Sequence, residues 1–149
     1  DAAGWWISHV AAGEDRLVTL GTSVQRLAHS ADGRPEDYAD VGAVFDLRDY
    51  PVTRRAIDEA GSFFVETGMP GNDPAEEATL ATAGYLAVLG AGGSDARGGW
   101  LVEVYADSIS LPMGTFEPVL RSLVAVAVSG AVTETGVARV PPARAPERA

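Results

Sequence analysis

The chain has 149 residues, room for one domain, and its 46% apolar and 21% charged residues are the proportions of a protein that buries a core. Its formal charge is −10 with every positive charge an arginine; no stretch clusters enough of them to attract a phosphate backbone, so nucleic acid is not an expected partner. Cysteine is absent, which excludes disulfides, thiolate nucleophiles, zinc–thiolate sites and thioether-attached chromophores.

The N-terminal stretch Gly4 to Gly21 places Trp5, Trp6, Ile7 and Val10 before Ala12-Gly13-Glu14-Asp15, and Leu17, Val18 and Leu20 after it. Two aromatic and β-branched runs around a short Gly-containing break predict a β-hairpin. Thr22 to Asp40 is polar and carries Asp32-Gly33-Arg34-Pro35, a loop with at most a short helix over Val24 to His29. Two helices follow with the same punctuation. Pro51 opens the first, Val52, Ala56 and Ala60 give it a thin apolar stripe, and Gly61 closes it. In the second, Asp73 caps, Pro74 opens, Glu76 completes a capping box and Gly84 closes. Each runs into a strand, Ser62 to Glu66 and Tyr85 to Leu89.

The glycine-rich run Gly90 to Gly99 then reads as a long hairpin linker to the strand Trp100 to Tyr105. On that strand Trp100, Val102 and Val104 share one face and Leu101, Glu103 and Tyr105 the other. A last helix is expected from about Thr115 to Thr133. Its core stripe would hold Phe116, Val119, Leu120, Leu123, Ala127 and Ala131, and its flank Val124 and Val128. Such a width fits either a helix buried on the sheet or one whose Val124 and Val128 flank meets a second copy in a homodimer. The stretch Leu120 to Val132 is interrupted by Arg121, Ser122, Ser129 and Gly130, too polar to span a bilayer. No basic-then-apolar leader opens the chain. The expectation is a cytoplasmic domain with no membrane partner, ending at residue 132, followed by a Pro/Ala/Arg-rich linker or tail over 133–149.

In that order of elements, four segments resemble the GAF family: Phe45-Asp46-Leu47-Arg48-Asp49-Tyr50-Pro51 leading into a helix, Glu77, Leu80 and Gly84 with Tyr85 to Leu89, Gly99-Trp100-Leu101-Val102-Glu103-Val104-Tyr105, and Phe116-Glu117-Pro118 opening the last helix. The resemblance spans about residues 5 to 132. It departs from the family at Gly90-Ala91, where a proline-containing apolar pair is usual, and in that the family's first helix would precede Asp1. It implies an α+β fold, a central antiparallel sheet of about five to six strands with helices packed on it.

The function implied by the resemblance is a regulatory sensor of a multidomain signalling protein. It would bind a small molecule, a nucleotide being one candidate, and relay the signal through its last helix and a homodimer to a covalently linked output domain such as a cyclase, phosphodiesterase, kinase or phosphatase. The ligand pocket implied lies between sheet and helices, walled by Phe45, Leu47, Tyr50, Arg54, Phe64, Tyr85 and Trp100. The same aromatics serve equally as ordinary core, and the second reading is a filled GAF-like fold used only for dimerisation. No cofactor is expected. Haem is a third reading, with His9 and His29 as the only axial candidates. Bilin attachment and methionine-sulfoxide reduction need the missing cysteine, and the family's lysine-containing cyclic-nucleotide signature is absent. Ser8 and His9 point to opposite faces of one strand and cannot pair as nucleophile and base. Gly90 to Gly99 has no Walker lysine. No catalytic residues or metal ligands are expected.

Overall fold

The computed structural model describes residues 2–24, 41–108 and 112–130. Strands β1 (Ala2–Ala11) and β2 (Arg16–Val24) form the first hairpin, and Gly13 takes the left-handed conformation its turn requires. A bulge between Ile7 and Ser8 shifts their register. The short β3 (Val44–Asp46) pairs with β2. Helix α1 (Pro51–Asp58) leads to β4 (Ser62–Glu66), and α2 (Pro74–Ala83) to the long hairpin β5 (Ala87–Asp95) and β6 (Gly98–Ala106). A 3₁₀ turn, Met113–Phe116, runs into α3 (Glu117–Val128).

The six strands make one antiparallel sheet in the order β3-β2-β1-β6-β5-β4. β1 and β6, the first and last strands in sequence, pair at its centre from Ala2↔Ala106 to Ala11↔Gly98. Side chains alternate across the pleat, so the sheet has two cores. Trp6, Val10, Leu17, Phe63, Val65, Val88, Leu101 and Tyr105 face one side, with Ala56, Ile57 and Leu80 from α1 and α2. Ala87, Leu89, Ala91 and Val102 face the other, beneath Leu120 and Val124 of α3.

The expected linker from Gly90 to Gly99 is not a loop. Both strands run through it, leaving only Ala96 and Arg97 as the turn. Glycine is needed there because helices cross close to the sheet on both sides. A Cβ on Gly92 would lie 2.7–2.8 Å from the backbone of Ala56 and Ile57, and one on Gly93 would lie 2.9 Å from Val124. Glycine's low strand propensity is overruled by the close approach it permits.

The last helix is turned relative to expectation. Leu120 and Val124 are buried against β5 and β6, and Val128 packs beside them. Phe116, Val119 and Leu123 of the expected core stripe are instead exposed, Val119 and Leu123 by 56% and 55%. The helix has two apolar faces, and composition alone did not say which one the sheet would take. The short helix expected over Val24 to His29 and the tail over 133–149 lie outside the described residues, except that Val24 ends β2. No helix among the described residues is long and apolar enough to cross a membrane.

Candidate ligand-binding cavity

Between the sheet and helices α1 and α2 lies a cavity of about 30 Å³. At roughly 10–15 Å³ for each water, that is space for about two. Its walls come from four strands, both helices and the residue pair that leads into β5. β1 supplies Trp6 and Ser8, β2 supplies Leu17 and Thr19, β3 Phe45, and β6 Leu101, Glu103 and Tyr105. Tyr50 and Thr53 come from the start of α1, Glu76 and Thr79 from α2, and Tyr85 from the residues just before β5. The alternation expected on β6 puts Leu101, Glu103 and Tyr105 on the cavity side.

Aromatic rings dominate one part of the wall. Trp6 meets Tyr105 edge to face at 4.4 Å between centroids and Tyr85 at 5.7 Å, while Tyr85 and Tyr105 are 5.1 Å apart. Phe45 and Tyr50 form a second edge-to-face pair at 6.1 Å. Such pairs hold a wall rigid beyond what area burial contributes.

The polar part is more unusual. Glu76 is only 2% exposed and accepts a hydrogen bond from the Thr53 hydroxyl. Half-buried Glu103, on the central strand, accepts one from the Tyr105 hydroxyl at 3.3 Å. Burial raises the pKa of both carboxyls. The charge of Glu76 pushes Glu103 further up, to about 8, and Asp73 adds to the rise at Glu76. Burial also raises the Tyr85 phenol, with a contribution from Asp107. Ser8 and Thr19 share a long 3.5 Å contact, and Tyr50 and Thr79 bond at 3.3 Å.

Three of the residues expected at the pocket, Phe45, Tyr50 and Tyr85, do line this cavity. Leu47 is fully buried in the same core without reaching the cavity wall. The other three lie elsewhere. Arg54 points along the outside of α1, where it pairs with Asp15 at 2.7 Å and Asp58 at 2.9 Å. Phe64 is 47% exposed because its neighbours Phe63 and Val65 take the inward positions of β4. Trp100 lies on the α3 side of the sheet against the His9 ring, and its indole N–H has no hydrogen-bond partner among the described residues. His9 is thereby removed from the cavity, and His29 lies outside the described residues.

Glu76 and Glu103 are the polar residues that pattern reading passed over. Glu76 fits a capping box on sequence, but the N-terminus of α2 is capped by Asp73, whose carboxylate accepts from the Ala75 N–H at 2.9 Å. Glu76 turns inward instead. The available signal was Glu103 itself, the one charged residue of β6, flanked by Leu101 and Tyr105 on one face of the strand. The described residues contain no group of His, Asp and Glu able to hold a metal.

No family model matches the chain, and no curated protein matches it. Among solved structures, the GAF domain of a two-component sensor histidine kinase from Bacillus halodurans superposes with a TM-score of 0.59 over 88% of this chain and 84% of that one, at 16% identity. A likeness at that identity is one of fold, and in fold this chain is GAF-like, a six-stranded antiparallel sheet with helices on both faces.

Proposed function

We propose that this chain is a non-catalytic regulatory domain of a larger signalling protein, in which a small molecule held between the sheet and helices α1 and α2 biases α3 and, through it, a covalently linked output domain. The observation that carries this reading is the cavity: a space with aromatic walls, the buried carboxyl of Glu76 and the half-buried one of Glu103, in a fold shared with the GAF domain of a sensor kinase. A core built only for stability has little use for Glu76 and Glu103, since each costs desolvation that an apolar side chain avoids. Strand β6 offers the route of relay, because Leu101, Glu103 and Tyr105 face the cavity while Val102 and Val104 pack toward α3.

A thermal-shift panel of nucleotides, amines, amino acids and organic acids tests the reading, with Thr79→Leu as a variant that fills the cavity. A compound that stabilises the natural chain and not the filled variant supports it. If nothing stabilises the natural chain while Thr79→Leu is itself more stable, the sensor reading fails.

The small volume favours the second reading, a filled domain that acts by dimerisation. Its seam would not be the expected Val124 and Val128, which are taken up by the sheet. Phe116, Val119, Leu123 and Val126 are exposed instead. They follow one another at intervals of three, four and three residues, the spacing of a helix–helix seam. We propose a second copy of this chain as the partner of that face.

A further inference from the structure

We propose that the cavity takes a compact organic cation, an ammonium ion held between the carboxylates of Glu76 and Glu103 and the rings of Trp6, Tyr85 and Tyr105. The inference rests on the cavity's being a ligand site, and it names the class of ligand.

Charge selects the ligand. Two carboxyl groups, from α2 and from β6, reach one space, and no arginine or histidine lines it among the described residues. On α1, Arg54, next to the lining Thr53 in sequence, is already paired on the outside with Asp15 and Asp58. An anionic ligand would make ionising either carboxyl costlier still at low dielectric. A neutral ligand leaves their burial uncompensated. A cation offsets it. The rings add to this, since indole and phenol rings attract a desolvated ammonium ion through their quadrupoles. Phosphate-bearing ligands are disfavoured by the same argument.

Among the described residues, the other groups facing the carboxyls are hydroxyls and one acid: Thr53 on α1, Asp73 at the start of α2, and Tyr105 on β6. None supplies positive charge. The two carboxyls share the site most easily when at least one holds a proton, so an entering ammonium ion displaces protons. Its affinity therefore rises with pH, and binding releases protons to the buffer.

Ammonium and methylammonium chlorides, of one and two heavy atoms, are the probes, with methanol as the neutral control of similar size and sodium chloride at matched ionic strength. At pH 8, an ammonium probe at ten times its dissociation constant is expected to raise the thermal midpoint by about 4 °C, and by less at pH 6. Calorimetry in buffers of different ionisation enthalpy should show protons released. Glu76→Gln and Glu103→Gln, which remove charge but little volume, should abolish both effects while remaining folded by their own midpoints. The cation assignment is overturned if no ammonium probe shifts the midpoint, if methanol or sodium chloride does as much, or if both Gln variants respond like the natural chain. Should a neutral or anionic compound stabilise the natural chain and not Thr79→Leu, the cation class falls and the sensor reading stands. If the ammonium response survives Thr79→Leu unchanged, binding is outside the cavity and both fall.

Discussion

At the scale of single residues, Glu103 makes a prediction independent of any ligand. Its folded pKa, pushed up to about 8, lies above the ordinary value of 4.5. The folded state therefore holds a proton that the unfolded chain has released between those two values. Stability from this group is fully present below pH 4.5 and is lost as pH rises through 8. The natural chain should melt progressively lower from pH 5 to pH 8.5, and Glu103→Gln should flatten that slope and melt higher at pH 8. Equal slopes in the two proteins would mean that Glu103 is solvated. A second residue stands out for its backbone. Ala60 has φ of 52° just past α1, while the Gly61 N–H closes the helix onto the Ala56 carbonyl at 2.9 Å. This is the glycine-dependent C-terminal motif with its glycine one position late. At the end of α2 the corresponding place is held by Gly84, with φ of 73°. Ala60→Gly relieves a left-handed strain of roughly 1–2 kcal/mol and adds unfolded-chain entropy of about half that. Urea unfolding should show a net gain of about 0.5–1 kcal/mol.

Among the elements, the contact most sensitive to substitution is α1 against β5. The Gly92 N–H donates to the Gly61 carbonyl at 2.9 Å, and α1 backbone occupies the place of any side chain at position 92. Gly92→Ala must displace a helix rather than a rotamer, so a loss at or above the ~3 kcal/mol upper end for overpacking is expected in the same urea experiment. The first hairpin, the two proline-opened helices and the alternation on β6 were legible in the sequence because each rests on local rules: period two, N1 proline, C′ glycine. The course of β5 was not, because Gly90 to Gly93 have no local strand preference and are strand only for what crosses them. Phe64 and Trp100 failed as pocket residues for a related reason. Period two says that Phe63 and Phe64 face opposite sides, but only the position of α2 says which side holds the cavity. Arg97 shows the same dependence on distant chain. Asp95 holds it at the β5–β6 turn, where it donates to the Val128 carbonyl at 3.1 Å and so ties the hairpin to the end of α3. Removing it in Arg97→Ala should speed amide exchange over residues 126–130 and leave α1 unaffected.

For the molecule as a whole, the decisive feature is that the sheet separates two unlike surroundings. One face closes over the carboxyl-bearing cavity; the other carries α3, which covers β5 and β6 and has no packing of comparable extent on the β1–β2–β3 half. There Trp5, Leu20 and Val44 remain exposed by 42%, 48% and 46%. An apolar surface of this kind, on a chain carrying −10 charges, is costly in water and well placed for association. The proposed seam can be tested by light scattering over a range of concentrations. The natural chain should approach twice the chain mass, and Leu123→Glu should hold it at a single chain that melts like the natural chain does when dilute, because Leu123 faces outward. Val124→Glu should behave differently: buried beneath the helix, it should lower the melting temperature at every concentration. A natural chain that stays monomeric, or a Leu123→Glu variant of undiminished mass, rules out this face as the site of self-association. A dimer built there would set the two α3 helices side by side, so that a change felt through β6 in one copy reaches the seam without crossing a loop.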